Sequence, residues 1–361
     1  MNSIPKVLIL QGEISSYRWP IFNIIAEQYD LTVGYYSKDN SNGQQCKFAK
    51  KYLKPTHCGP FIYIRGLRRY CNQFDAVIFM DDLHALSYCI LPFGFRKYKI
   101  LSWGFGLRAS YTRLYDVSRK HTFLDRISQL INQSCDAVIF YMEKAKEFWH
   151  GTSFNLNKVF VAPNTTIVKQ VDFLPSLKKN ILFVGTLYEK KGIRVLLQAY
   201  KYAHDQLGEI PPLHIVGDGD DAENLKQFVI DHGLSDLVVF HGAIYDENVL
   251  SMHFQHALLC VSPHQAGLSV AKSMGYGVPF VTRRSAITGG ELYHINDGEN
   301  GILYDNDAEL QDLIIDAVNN PIKYIDMGKK AKLYYEQNAS PKHMADGAID
   351  AIKFALKRDP S

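Results

Sequence analysis

No two cysteines in this chain are spaced as C-x-x-C; Cys46, Cys58, Cys71, Cys89, Cys135 and Cys260 are scattered. The scatter argues against a zinc site and a disulfide framework, and it fits a reducing compartment. Long apolar runs are also missing. The run at residues 7–10 is too short for the apolar region of a signal peptide. No stretch approaches the roughly 20 apolar residues of a membrane-spanning helix. Nor is there an excess of one charge: the formal net charge is +3, so the balance implies no nucleic-acid partner. The chain therefore reads as cytoplasmic.

What is present is the composition of a folded protein, 47% apolar and 21% charged. A length of 361 residues is too much for one ordinary core and points to about two domains. Short apolar runs alternate with helical stretches. The first half offers strands at 7–10, 31–36, 74–79, 99–103, 135–140 and 159–164, and a helix from near Pro20. Residues 37–60 read as irregular. The string Asp-Ala-Val-Ile-Phe occurs twice, from Asp75 and from Asp136. An aspartate before a continuous apolar run suits a parallel strand covered on both faces. The second half offers strands at 181–185, 213–217, 238–242, 257–262 and 279–282, with helices at 192–202, 222–232 and 268–276 and mostly helix thereafter.

Such alternation predicts an α/β fold of two Rossmann-like, doubly wound parallel sheets facing across a cleft. The assigned boundaries are an N-terminal Rossmann-like domain at 1–165, a linker at 166–179 and a C-terminal Rossmann-like domain at 180–338. A C-terminal helix at 339–361 has the option of packing back on the first domain. Ligands of open α/β sheets bind at the carboxyl ends of the strands, so the cleft is the default site.

Two segments carry chemistry. In Gly185-Thr-Leu-Tyr-Glu-Lys-Lys-Gly192 a strand runs into a loop, and a lysine pair precedes a glycine and a helix. A lysine placed there can neutralise a diphosphate; the alternative for Lys190 and Lys191 is solvated surface charge. Glycines 217 and 242 read as tight-turn residues. In Ser262-Pro-His-Gln-Ala-Gly-Leu-Ser-Val-Ala-Lys-Ser-Met-Gly-Tyr-Gly-Val-Pro279, a strand is followed by a loop, then Gly267, then a helix. The first N–H groups of that helix lack intrahelical partners and favour an anion.

This second segment resembles the donor site of the family 4 retaining glycosyltransferases, and the likeness extends along most of the chain. Ile215-Val-Gly-Asp-Gly219, Gly289-Gly290 and Asp297-Gly-Glu-Asn-Gly301 match further family motifs, as does Val239-Phe-His-Gly242 with Asp246-Glu247. Tyr17-Arg-Trp-Pro-Ile-Phe22 resembles the N-terminal helix start of relatives acting on polysaccharide or lipid-linked acceptors. The resemblance implies a GT-B fold and transfer of a sugar from a nucleoside-diphosphate donor to a glycan or lipid-linked saccharide, with retention and without metal or cofactor. It implies diphosphate contacts from Gly185, Thr186, Lys191, Gly267, Leu268 and Ser269. His264 stands where the family glutamate meets the donor sugar. Lys272 stands where a second glutamate binds the ribose, yet lysine has only donors. Thr186 replaces the usual arginine. Glu291 is the candidate to supply the lost carboxylate.

The catalytic candidates are His84, Lys191 and His264. The alternative for His84 is a helix start capped by Asp81 and Asp82. Acceptor candidates are Ser15, Tyr17 and Arg18. Arg65, Arg68 and Arg69 read as one helical face which, with the aromatic and basic stretch 93–99, suits a membrane surface; an ordinary solvated face is the alternative. The departures at 186, 264 and 272 leave open a catalytically inactive glycosyltransferase-like binding subunit.

Overall fold

The computed structural model describes residues 4–41, 43–109 and 115–357. Its compact units are residues 1–108, 116–165 and 341–361 on one side of the division, and 109–115 with 166–340 on the other.

The first unit is built on a seven-stranded parallel sheet. Its strands are β1 (Lys6–Gln11), β2 (Asp30–Tyr35), β3 (Ala49–Tyr52), β4 (Ala76–Met80), β5 (Lys99–Gly104), β6 (Ala137–Phe140) and β7 (Val159–Val161), in the order β3-β2-β1-β4-β5-β6-β7. Continuous burial explains the continuous apolar runs: Val7, Leu8, Ile9 and Leu10 are all fully enclosed. The repeated aspartates share one job. Asp75 accepts the N–H of Lys6 at 2.7 Å, and Asp136 accepts that of Ile100 at 2.7 Å. Each satisfies a backbone donor where a neighbouring strand begins.

Two departures from the sequence reading fall in this unit. Residues 37–60 contain the edge strand β3, plus one arm of an antiparallel hairpin formed by Thr56–Cys58 and Phe61–Tyr63. All four residues of β3 are exposed, so no apolar pattern marks it. Asp81 and Asp82 do not cap a helix at His84; the short helix there begins at Leu86 and has no side-chain cap.

Helix α1 (Trp19–Ile25) starts with Pro20 in its first turn and buries Ile21, Phe22 and Ile25. It packs on the last helix of the chain, Pro341–Lys357, which also covers β5, β6 and β7. The approach is close: a Cβ on Gly347 would lie 2.0 Å from the Val161 carbonyl oxygen. Residues 358–361 of that assigned segment lie outside the described residues.

The second unit has a six-stranded parallel sheet. Its strands are β8 (Asn180–Val184), β9 (Leu213–Val216), β10 (Val238–Phe240), β11 (Ala257–Val261), β12 (Phe280–Arg283) and β13 (Gly301–Tyr304), ordered β10-β9-β8-β11-β12-β13. Strand β13 was not foreseen; it pairs with β12 within a stretch read as mostly helix. Among the helices, α2 (Ile193–Leu207) packs on Asp307–Asn319, and α3 (Glu247–His256) lies against β8. Helix α4 (Ser269–Gly275) follows β11.

The stretch read as a linker is not a free tether. Val168 meets the position a Cβ on Gly275 would take, at 2.7 Å, and Phe173 does the same at Gly277, at 2.6 Å. Lys178 is buried, its ammonium donating to the carbonyls of Phe254 and Tyr276 at 3.2 Å each. Isolated apolar residues each fill one gap there, which is why no cluster was visible.

Candidate active site

In the second sheet β8 lies between β9 and β11, so the strand order reverses there and the loops after β8 and β11 diverge. A crevice at such a switch point is where open α/β sheets take ligands. A cavity of about 770 Å³ opens at this place, within the usual range for small-molecule sites. Its walls include Gly185, Thr186 and Lys191 from the first loop, and Gly267, Leu268, Ser269 and Lys272 from the second. The structure thus brings these seven together.

Lys191 closes a 3-10 turn, Glu189–Lys191, that Gly192 terminates in the left-handed region at φ 72°. Only glycine fits at 192: a Cβ would come within 2.5 Å of the His264 ring. The Lys191 ammonium makes no hydrogen bond or ion pair among the described residues. It lies over the Tyr188 ring at 5.8 Å, and a Cβ on Gly185 would sit 3.2 Å from it. Burial lowers its pKa to about 8. Tyr188 is held in turn by a hydrogen bond from its hydroxyl to Gln265.

The glycines divide into two kinds. A Cβ on Gly217 would lie 1.8 Å from the Gly185 carbonyl oxygen, so that glycine is required by packing. A Cβ on Gly267 would meet nothing within 4 Å, and the residue lacks a positive φ. The protein itself does not require glycine there. No side chain caps the start of α4 at Leu268.

The carboxylates fall elsewhere than foreseen. Glu291 is buried and tied to its own loop, accepting from the Gly289 N–H at 2.9 Å and the Thr288 hydroxyl at 3.3 Å. It does not line the cavity. Glu247, at the start of α3, pairs instead with Lys272 at 2.6 Å and accepts the Tyr276 hydroxyl. Sequence reasoning missed this role. The one available signal was that Lys272 leaves a donor where an acceptor is wanted, with Asp246-Glu247 falling in another motif of the resemblance.

His264 packs its ring on Gly192 and does not line the cavity. Its Nε2 is buried without a hydrogen-bond partner among the described residues, and burial lowers its pKa.

The remaining candidates lie in the first unit. Ser15 is buried and donates to Glu13 at 2.8 Å. Arg18 is buried, donating to the Tyr141 hydroxyl at 2.7 Å and Asn164 Oδ1 at 3.2 Å; Tyr17 lies under its guanidinium at 5.3 Å. His84 is exposed and holds Asp82 through Nδ1 at 2.9 Å. The three basic residues do not share a helical face. Arg65 precedes the helix Leu67–Cys71, and Arg68 turns inward to the Ile90 carbonyl at 2.5 Å. No described helix is long and apolar enough to cross a membrane.

Two parallel sheets of this strand order, each with its own helices, make the fold of the GT-B class. Residues 165–334 match the family described as glycosyl transferases group 1. The chain is 27% identical over 208 residues to an uncharacterized glycosyltransferase of Haemophilus influenzae, covering 56% of this chain and 57% of the relative. It is 28% identical over 132 residues to the lipopolysaccharide core biosynthesis glycosyltransferase LpsE of Rhizobium meliloti, covering 36% of each. The chain thus spans under two thirds of the length of these curated relatives. Anabaena HepE, solved in complex with UDP, superposes with a TM-score of 0.71 at 15% identity, over 96% of this chain and 99% of that one.

Proposed function

We propose that the protein is a glycosyltransferase that moves a sugar from a nucleoside-diphosphate donor to a glycan or lipid-linked saccharide, with retention. The observation that carries this reading is the Lys191 ammonium, half-buried at the switch point with no protein anion beside it among the described residues, and a dispensable glycine among the cavity walls. A partly desolvated cation without a counter-ion is costly unless a ligand supplies the charge. The diphosphate of a sugar nucleotide does so. In the reaction the bond from the anomeric carbon to the diphosphate oxygen breaks. The acceptor oxygen bonds that carbon and passes its proton to the departing diphosphate oxygen, and the nucleoside diphosphate leaves. Lys191 stabilises the charge that develops on the leaving oxygens. This assignment uses no metal and no cofactor.

Glu247, oriented by Lys272 and Tyr276, supplies the acceptor oxygens for the ribose diol, taking over from the missing glutamate at 272. His264 serves by holding the phosphate loop: its backbone N–H donates to the Lys191 carbonyl at 3.2 Å and its ring packs on Gly192. Tyr17 and Ser15 belong to the acceptor side. Arg18 serves there by holding Tyr141 and Asn164, because its donors are already engaged. His84 contributes through its exposed ring. The relation to LpsE supports a lipopolysaccharide-type acceptor, and HepE supports uridine as the base. The exposed Phe95, Phe93 and Arg69 would rest on an anionic membrane from the cytoplasmic side.

The test is release of free nucleotide from a panel of UDP-, GDP- and dTDP-sugars, in EDTA, with a matching binding assay. Binding with no turnover on any acceptor would leave the inactive binding subunit, a reading that the departures at 186, 264 and 272 favour. No binding of any nucleotide sinks both. Loss of liposome retention in a variant with Phe95→Ser and Arg69→Ser tests the membrane surface; unchanged retention refutes it.

A further inference from the structure

Outside the donor cavity, the second unit gathers three imidazoles from three elements. His214 lies on β9, His241 directly follows β10, and His253 lies on α3. One nitrogen from each falls within 4.8 Å of the other two. Nδ1 of His214 and Nε2 of His241 are 2.7 Å apart, with the rings stacked at 14°. The His253 ring stands across His241 at 61°, centroids 4.3 Å apart. All three are half-buried. We propose that this cluster is a three-histidine site for a divalent transition metal of the zinc, cobalt, nickel or copper class, which ties α3 to β9 and β10.

Two features support the assignment. First, imidazole is the favoured ligand of that class. Two zinc-bound nitrogens at about 2.05 Å stand about 3.3 Å apart in a tetrahedron. The His214–His241 pair needs to open by only about 0.6 Å, and a water completes four-coordination. Second, the remaining nitrogen of His214 already has an outer partner. Its Nε2 lies 3.1 Å from the side-chain amide of Asn180. With metal on Nδ1 the proton moves to Nε2, and Asn180 turns its carbonyl oxygen to accept it, as outer partners of metal-bound histidines do.

Helix α3 also presents Glu247 and Leu250 to the donor side. Pinning its middle turn at His253 fixes the element that carries the proposed ribose carboxylate. The metal site itself does not depend on the glycosyltransferase reading.

The experiment uses full-length protein freed of any polyhistidine tag, stripped with EDTA and titrated with Co²⁺. We expect visible d–d absorption that saturates at one equivalent, is displaced by Zn²⁺ and comes with a rise in Tm. His253→Gln and His241→Gln should each weaken Co²⁺ binding by about tenfold or more. Circular dichroism shows whether each variant is folded, and His253→Gln serves if His241→Gln is not. Absence of the absorption band through several equivalents overturns the site. So does a one-equivalent band of unchanged affinity in the folded His253 variant, because the metal is then held elsewhere. Nucleotide binding in the stripped protein is read separately, so failure of the donor proposal and failure of the metal proposal are distinguishable.

Discussion

If the half-buried ammonium of Lys191 binds the donor diphosphate, donor affinity must fall as pH rises through its pKa. Burial puts that pKa at about 8 in the free protein. A diphosphate beside the ammonium favours the charged form and raises the pKa on binding. Linkage then fixes the sign: the bound state holds more protons, so binding weakens with increasing pH. The protonated fraction is roughly 0.91 at pH 7 and roughly 0.09 at pH 9, for a pKa of about 8. Affinity should therefore drop about tenfold between these values, about 1.4 kcal/mol, and stay nearly flat below pH 7. The assay is calorimetric titration with a nucleotide sugar, whose diphosphate diester does not titrate in this range. Repeating it at pH 8 in buffers of different ionisation enthalpy should reveal uptake of about half a proton per binding event. Lys191→Arg removes the titration and should bind with a flat profile, which also subtracts any contribution from the base. Lys191→Met should lose about 10- to 100-fold in affinity at pH 7, the worth of a charge-assisted hydrogen bond. A flat profile in the unaltered protein, or a slope that persists in Lys191→Arg, would refute the placement of the diphosphate.

Gly267→Ala should leave Tm almost unchanged, because its Cβ meets nothing within 4 Å, yet weaken nucleotide-sugar binding about tenfold or more; equal binding shows that no ligand occupies that space. Glu247→Gln should weaken nucleotide binding, and the double exchange Glu247→Lys with Lys272→Glu should recover part of the loss by keeping one carboxylate in the pair; failure of Glu247→Gln to alter affinity removes Glu247 from the ribose. Gly347→Ala should cost about 2 kcal/mol, since a Cβ would overlap the Val161 carbonyl; urea unfolding with an unchanged midpoint would contradict that packing. Lys178 has a folded pKa of about 7, below its unfolded value, so between pH 7 and about 10.5 only the unfolded chain keeps the proton. Stability of the unaltered protein should therefore rise across that window relative to Lys178→Met; parallel urea midpoints for the two from pH 7 to 10 would exclude a neutral buried amine.

The buried strands were legible because both their faces are covered. Residues 7–10 and the two Asp-Ala-Val-Ile-Phe strings read as strands for that reason, and they stand at β1, β4 and β6. Strand β3 escaped because Ala-Lys-Lys-Tyr at a sheet edge carries no apolar signature. Strand β13 escaped because its glycine-led start looks like the end of a turn. In the cavity, residues close in sequence came out together: Gly185 with Lys191, and Gly267 with Lys272. Partners distant in sequence did not. Glu247 meets Lys272 across 25 positions, and the three histidines come from separate elements, so no spacing rule connects them. Arg18 read as an acceptor candidate from its place in Tyr17–Phe22; only the fold shows Tyr141 and Asn164 already holding it.

The helix Pro341–Lys357 belongs to the unit that begins at the opposite end of the chain. During synthesis, β5, β6 and β7 must therefore wait for their cover while the ribosome adds some 180 further residues, about ten seconds or more at ordinary elongation rates. The second unit has no such wait, since its strands and helices follow one another without interruption from residue 166 to 340. The order of maturation is thus inverted: the unit translated second completes first, and the nascent first unit is the one with an unshielded apolar face for a holding chaperone to grip. A ribosome stalled before residue 341 would display that face.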